Sequence, residues 1–239
     1  MTARSLLSLL FLAASLGATD IKSYRVRLDT AADGTGKGTA EVVLTRCAPG
    51  RLNLPLGFKT VTGLRLEDGP PRLGLTQGPS NGQVLVHADL PEGVPAVTTI
   101  RLAFTVPAAF VAIEPGPGEK SPFPAGSRLF RHALVATQEG VIGLYRFELL
   151  LPEGTRVQAI REQLPKIGRT ETGPRVRLGK VDGRQNGVLQ MTAMKQGDDT
   201  SMALELVPER KSWGWLAAGL ALCAFYLFHF RDLVRSEKR

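Results

Sequence analysis

Along most of this chain the apolar residues recur at every second position, and glycines and prolines punctuate the runs. A period of two belongs to an extended strand, whose successive side chains point to opposite faces; a helix needs a period near 3.6. In YRVRLD, Arg25 and Arg27 fall on one face and Val26 and Leu28 on the other, and RVRL returns at Arg175 to Leu178. Each strand of this kind has one wet face and one buried face, the pattern of antiparallel sheets. AEVVLT, QVLVHADL, TTIRLAFTV, LYRFELLL, GVLQMTAMK and SMALELV extend the series, with DG, NG and QGDD as turns. No amphipathic helical repeat interrupts them.

The expected fold class is all-β in the exported region, built as two small antiparallel β-sandwich modules, plus one C-terminal transmembrane helix. The strand pattern is similar to that of immunoglobulin-like and transthyretin-like exported modules, an architectural likeness that implies no function. A weak internal repeat suggests two modules. LPLGFKTVTGLR from Leu54 resembles LPEGTRVQAIR from Leu151, and each precedes an Asn-Gly step and a strand, NGQVLV from Asn81 and NGVLQM from Asn186. The stretch IEPGPGEKSPFPAGS, residues 113–127, cannot sustain a helix or a central strand and reads as a linker or exposed loop. The expected organisation is a signal peptide over 1–18, modules over 19–112 and 128–208, a stem over 209–212, a membrane helix over 213–230 and a basic tail over 231–239.

Two apolar segments carry the membrane expectation. Residues 213–230, WGWLAAGLALCAFYLFHF, are uncharged and as a helix would rise roughly 27 Å, close to the thickness of a hydrocarbon core. Trp213 and Trp215 stand at one end, and Arg231, Arg235, Lys238 and Arg239 at the other, which orients the basic end towards the cytoplasm. Near the N-terminus, Arg4 precedes SLLSLLFLAASLGA, the pattern of a secretory signal. Between these segments Cys47 is the single cysteine, so no internal disulfide can form there. Asn53, Asn81 and Asn186 head no glycosylation acceptor. Together these features point to a single-pass protein of the bacterial cytoplasmic (inner) membrane, with a periplasmic domain and a cytoplasmic C-terminus.

The formal charge of +8 is partly topological. Of 30 basic and 22 acidic residues, six basic and two acidic ones lie before Thr19 or after Arg210, leaving 24 against 20 between them. Nucleic acid is therefore not an expected partner. The most basic stretch holds Arg156, Arg161, Lys166, Arg169, Arg175, Arg177, Lys180 and Arg184, against Glu162, Glu171 and Asp182. It is the candidate partner-binding face, for an acidic protein or the anionic headgroups of a lipid bilayer, although a solvated sheet face would look the same.

Catalytic signatures are sparse. Cys47, His87 and His132 are the thiol and imidazoles outside the apolar tail, and no Gly-x-Ser-x-Gly elbow occurs. Asp198 and Asp199 sit in a turn, where aspartate is favoured for backbone hydrogen bonds. Met191, Met194 and Met202 cluster around one hairpin, and thioethers suit Cu(I), with His87 or His132 as further weak candidate ligands. Strand alternation opposes this, because it excludes Met194 from the face of Leu189 and Met191 and puts Met202 with Leu204 and Leu206. The expected function is a non-enzymatic, single-pass envelope protein whose modules bind a protein partner or serve a membrane complex, without cofactor. The alternative is a copper- or ligand-binding sandwich.

Overall fold

A computed structural model describes residues 19–113, 124–164, 175–209 and 214–236. The strands are β1 (Asp20–Thr30), β2 (Gly36–Thr45), β3 (Gly50–Pro55), β4 (Thr62–Asp68), β5 (Gly74–Ser80), β6 (Gln83–Leu90) and β7 (Val97–Val106). They continue as β8 (Phe110–Ala112), β9 (Arg128–Val135), β10 (Ile142–Leu150), β11 (Thr155–Leu164), β12 (Arg175–Val181), β13 (Arg184–Met194) and β14 (Asp199–Pro208), followed by helix α1 (Gly214–Ser236).

Alternation behaves as the sequence predicts: in β1, Tyr24, Val26 and Leu28 are buried while Arg25, Arg27 and Asp29 are exposed. The partners of the strands differ from expectation. A seven-stranded sheet runs β12-β13-β10-β1-β2-β7-β4, beside a four-stranded sheet β11-β14-β9-β8 and a three-stranded sheet β3-β6-β5. The large sheet draws strands from both halves of the chain, joined where β1 lies parallel to β10, from Ile21 opposite Ile142 to Asp29 opposite Leu150. This corrects the expectation of two separate sandwich modules. Residues up to Pro208 form one unit, and a single hydrophobic cluster takes Val26 and Phe147 from the large sheet, Leu54 and Val86 from the three-stranded sheet and Phe130 and Leu204 from the four-stranded one. Period two fixes which face of a strand is buried, but it carries no information about which strand lies alongside.

Two further details follow the same correction. Asn81 and Gly82 form the two-residue turn between β5 and β6, with φ of 50° and 74°, whereas Asn186 and Gly187 lie inside β13 and the matching turn is Asp182-Gly183. The two Asn-Gly steps of the repeat thus differ in structure. On either side of residues 114–123, which lie outside the described residues, β8 pairs antiparallel with β9 and the Ile113 N–H donates to the Ser127 carbonyl at 3.2 Å.

Helix α1 belongs to a separate unit, residues 209–239. Among the described residues, no helix is long and apolar enough to cross a membrane. That finding overturns the single-pass transmembrane expectation and the inner-membrane placement built on it. Of the 23 residues of α1, the last turns carry Arg231, Asp232 and Arg235, which confines its uncharged part to Gly214 to Phe230. The signal-like segment 1–18 lies outside the described residues.

Beyond Pro55 the chain leaves β3 and meets β9. The Gly57 carbonyl accepts the Ala133 N–H at 3.4 Å, and Gly57 has φ of +73°. A Cβ at Gly57 would strike the ring of His132, which is stacked on Phe147 with centroids 3.8 Å apart. Backbone conformation and close approach both require glycine here. Gly57→Ala is expected to cost about 3 kcal/mol, combining the left-handed penalty with overpacking. Urea unfolding checks this; an unchanged midpoint would show that the junction tolerates a side chain.

Candidate functional site: a polar cleft beside β3

The junction at Gly57 and Ala133 sets the geometry of a cleft of about 360 Å³. One wall is β3, represented by Gly50 to Asn53; the other comes from Thr137 to Gly140, which follow β9, and from Gln196 in the turn between β13 and β14. β3 is the terminal strand of its sheet. The Leu56 N–H donates to the Val84 carbonyl at 3.0 Å, so the alternation of an antiparallel ladder turns the backbone groups of Leu52 and Leu54 towards β6 and those of Arg51 and Asn53 away from it. Pro55 confirms that phase, because its carbonyl accepts the Tyr24 hydroxyl, which comes from the large sheet, at 2.6 Å.

The facing wall has the complementary arrangement. The Ala136 N–H donates to the Asp198 carbonyl and the Ala136 carbonyl accepts the Gly197 N–H, both at 2.9 Å. Val135, one residue earlier, presents its backbone in the opposite direction, where the side chain of Gln83 meets it: Nε2 donates to the Val135 carbonyl at 3.1 Å and Oε1 accepts the Val135 N–H at 3.4 Å. A buried glutamine amide here serves in place of a neighbouring strand.

Gln138 has no such satisfaction. It lines the cleft and is only 6% exposed, and neither its Nε2 nor its Oε1 has a hydrogen-bond partner among the described residues; the Thr137 hydroxyl is in the same condition. A buried polar group left unpaired costs about 1–3 kcal/mol, so both residues oppose folding where they stand. Two polar groups on the β3 wall are engaged. His87 Nδ1 donates to Asn53 Oδ1 at 2.7 Å, and Arg51 pairs with Asp89 at 3.1 Å. The exposed Arg51–Asp89 pair adds little stability but neutralises that side, and Glu139 leaves the wall opposite with a negative charge.

A second polar group lies in the core. His132 Nε2 shares a hydrogen bond of 2.7 Å with the Tyr145 hydroxyl, while its Nδ1 has no partner among the described residues. Burial lowers the His132 pKa to about 3 and pushes those of Tyr24 and Tyr145 up, the Tyr145 shift aided by the neighbouring Tyr24. The neutral imidazole and both phenols are packing elements, with Tyr24 and Tyr145 in edge contact at 5.6 Å.

The metal candidates come together only in part: Met202 lies opposite His132 across the β14–β9 pair. Met194 and Met202 are wholly buried in the core, and Met191 packs against it. Met194 reaches that face because Ala193 adopts φ of 54°, which breaks the alternation that would have turned it outward. Among the described residues, no group of three or more His, Cys, Asp or Glu could hold a metal ion. Cys47 Sγ donates to the Ala96 carbonyl at 3.6 Å, and His87 is committed to Asn53.

The basic stretch is divided between two sheets. Arg156 and Arg161 lie on β11, and Arg161 bonds the buried carboxylate of Glu205 at 2.6 Å. Arg175, Arg177 and Lys180 lie on β12, with Arg177 and Lys180 exposed. Arg184 is structural in its bonding, reaching Asp29 at 2.6 Å and the carbonyls of Leu151 and Thr30. Lys166 and Arg169 lie outside the described residues. None of the described ones lines the cleft, and the sequence reading missed Arg51, Asn53, Thr137 and Gln138. RLNLP shows only that Arg51 and Asn53 alternate with leucines; ATQEG looks like an ordinary turn, since nothing local marks a glutamine as buried.

No family model matches the chain, and no curated protein matches it. Among solved structures it is similar to a "putative nutrient binding protein" from Legionella pneumophila, 11% identical with a TM-score of 0.45, covering 80% of this chain and 68% of that one. It is also similar to an M1 zinc metallopeptidase from Deinococcus radiodurans, 14% identical with a TM-score of 0.39, covering 80% and 42%. A third likeness is to native leukotriene A4 hydrolase from Saccharomyces cerevisiae, 7% identical with a TM-score of 0.40, covering 78% and 29%. The chain thus spans less than half the length of the metallopeptidase and of the hydrolase. The expected single-pass accessory subunit of the envelope is corrected by the finding for α1, and its copper-binding alternative by the burial of the methionines.

The His132 shift has a thermodynamic consequence. Its folded pKa of about 3 lies below the unfolded value of 6.5, so the unfolded chain takes up the proton first as pH falls. The stability is fully present above pH 6.5 and is lost progressively towards pH 3, at up to about 1.4 kcal/mol per pH unit. His132→Gln keeps a hydrogen-bonding group beside Tyr145 and removes the titration. Its unfolding free energy is expected to fall less steeply between pH 6 and pH 4 than that of the parent chain, and parallel curves would contradict the assignment.

Proposed function

We propose that this chain is a recognition domain without catalytic turnover, and that it holds an uncharged, amide-bearing ligand in the cleft beside β3. The observation that carries the reading is the buried amide of Gln138, which has one donor group and one acceptor and neither of them paired. Unpaired buried amides are uncommon because they destabilise the fold, and they persist where a binding function offsets the cost. A ligand amide offers the matching donor and acceptor, as the Val135 backbone does for Gln83. Gln138 lines the cleft, which puts its amide beside a ligand held there. Arg51, Asp89 and Glu139 together leave a net negative charge, which disfavours a phosphate or a polyanion.

Replacing Gln138 separates stability from binding. Gln138→Met keeps an unbranched side chain of similar length and removes both unpaired groups. The free variant is expected to be more stable by about 1 kcal/mol in urea unfolding. Titration of the ¹⁵N-labelled chain with N-acetylglycinamide is expected to move the signals of Gln138, Thr137 and Asn53 with an affinity of about millimolar, as suits so small a ligand. The variant should lose that response. A destabilised variant that still responds would defeat the proposal.

A further inference from the structure

We infer that the ligand of this cleft is an extended polypeptide segment that adds to β3 as a new antiparallel or parallel neighbour; the inference rests on reading the cleft as a binding site. The cleft is bounded by backbone as much as by side chains. On one wall the phase of the β3–β6 ladder leaves the amide and carbonyl groups of Arg51 and Asn53 directed away from β6, at the end of the three-stranded sheet. An extended chain presents donors and acceptors at the same two-residue spacing, which is the basis of strand addition.

The second wall supports the same occupant. β9 touches the chain just beyond β3 where Ala133 bonds Gly57, and it is held by Gln83 at Val135 and, one residue past its end, by the β13–β14 turn at Ala136. The two segments border a common cleft further on, at Arg51 to Asn53 and at Thr137 to Gly140. A strand inserted there has β3 on one side and the amide of Gln138 on the other. Gln83 already makes that second type of contact within the protein, one side-chain amide pairing both backbone groups of one residue.

Other features suit such an occupant. Pro55 ends β3 and its carbonyl is occupied by Tyr24, so strand addition is limited to the stretch before it. The side chains of Leu52 and Leu54 point into the core, while those of Arg51 and Asn53 engage Asp89 and His87 on the opposite face. Specificity therefore comes mainly from backbone pairing, and the ligand is defined by its extended conformation and neutral charge.

The test uses the full chain and an acetylated, amidated pentapeptide of alternating threonine and valine, with amide hydrogen exchange as the readout. At saturating peptide, the Arg51 and Asn53 amides are expected to exchange at least tenfold more slowly, while those of Leu52 and Leu54, already bonded to β6, stay unchanged. Arg51→Pro removes one outward N–H and leaves the ladder to β6 intact, a change that edge strands tolerate. It is expected to weaken the peptide at least tenfold. Peptide binding without protection at Arg51 and Asn53 would overturn strand addition and leave the cleft as an amide site. A response to N-acetylglycinamide with no response to the peptide would do the same. If neither probe registers, the function proposed for the cleft falls along with strand addition.

Discussion

The parallel pairing of β1 with β10 is the contact on which the rest of the architecture depends. It joins a strand at residues 20–30 to one at residues 142–150 and so makes one seven-stranded sheet from two halves of the chain. Parallel neighbours cannot be connected by a tight turn, so everything between these two strands must be placed elsewhere before the chain returns. Part of it becomes β2, β7 and β4, which extend the large sheet on one side; the remainder forms β3-β6-β5 and opens the four-stranded sheet with β8 and β9. Tyr24 and Tyr145 sit opposite one another across the parallel pair, and their hydroxyls bond Pro55 and His132, which belong to the two smaller sheets. The central pair thus positions both walls above it.

The face of each strand was legible in the sequence, and its neighbour was not. Alternation in YRVRLD predicts the burial of Val26 and Leu28 correctly because that burial is a local consequence of the pleat. The partner of β1 is set instead by the packing of a whole sheet, at a sequence separation of 121 from Ile21 to Ile142 (142 minus 21), and no short motif encodes it. The same limit explains Met194, where one left-handed residue, Ala193, reverses the sidedness read from a regular period. It also explains Asn186-Gly187, a good turn dipeptide that β13 absorbs because Asp182-Gly183 makes the turn first.

The cleft was illegible for a related reason. Its residues are ordinary polar types, and only their surroundings distinguish them. Gln83 and Gln138 are both buried glutamines, at 4% and 6% exposure, yet one pairs fully with the backbone of Val135 and the other with nothing among the described residues. A sequence records neither burial nor satisfaction for such a side chain. The contrast is informative because the two residues lie near the same segment, Val135 to Gly140: where Gln83 supplies a substitute for a strand neighbour the walls stay together, and where Gln138 faces no partner they enclose a cleft.

An unpaired sheet edge beside a cleft would ordinarily be a liability, since any extended chain can pair with it. Several features restrict this one. Pro49 and Pro55 flank the available stretch, the Pro55 carbonyl is withdrawn by Tyr24, and Arg51 places a charge on the strand. Most of all, the edge faces a second wall instead of open solvent, so an incoming strand must fit between Arg51 to Asn53 and Thr137 to Gly140. A second copy of the domain would have to bring its own edge into that gap, which a folded sheet does less readily than a single extended segment. Confinement thus changes the effect of an open edge: the backbone groups that would promote indiscriminate pairing on a flat surface become, inside a narrow polar cleft, selective for an isolated strand.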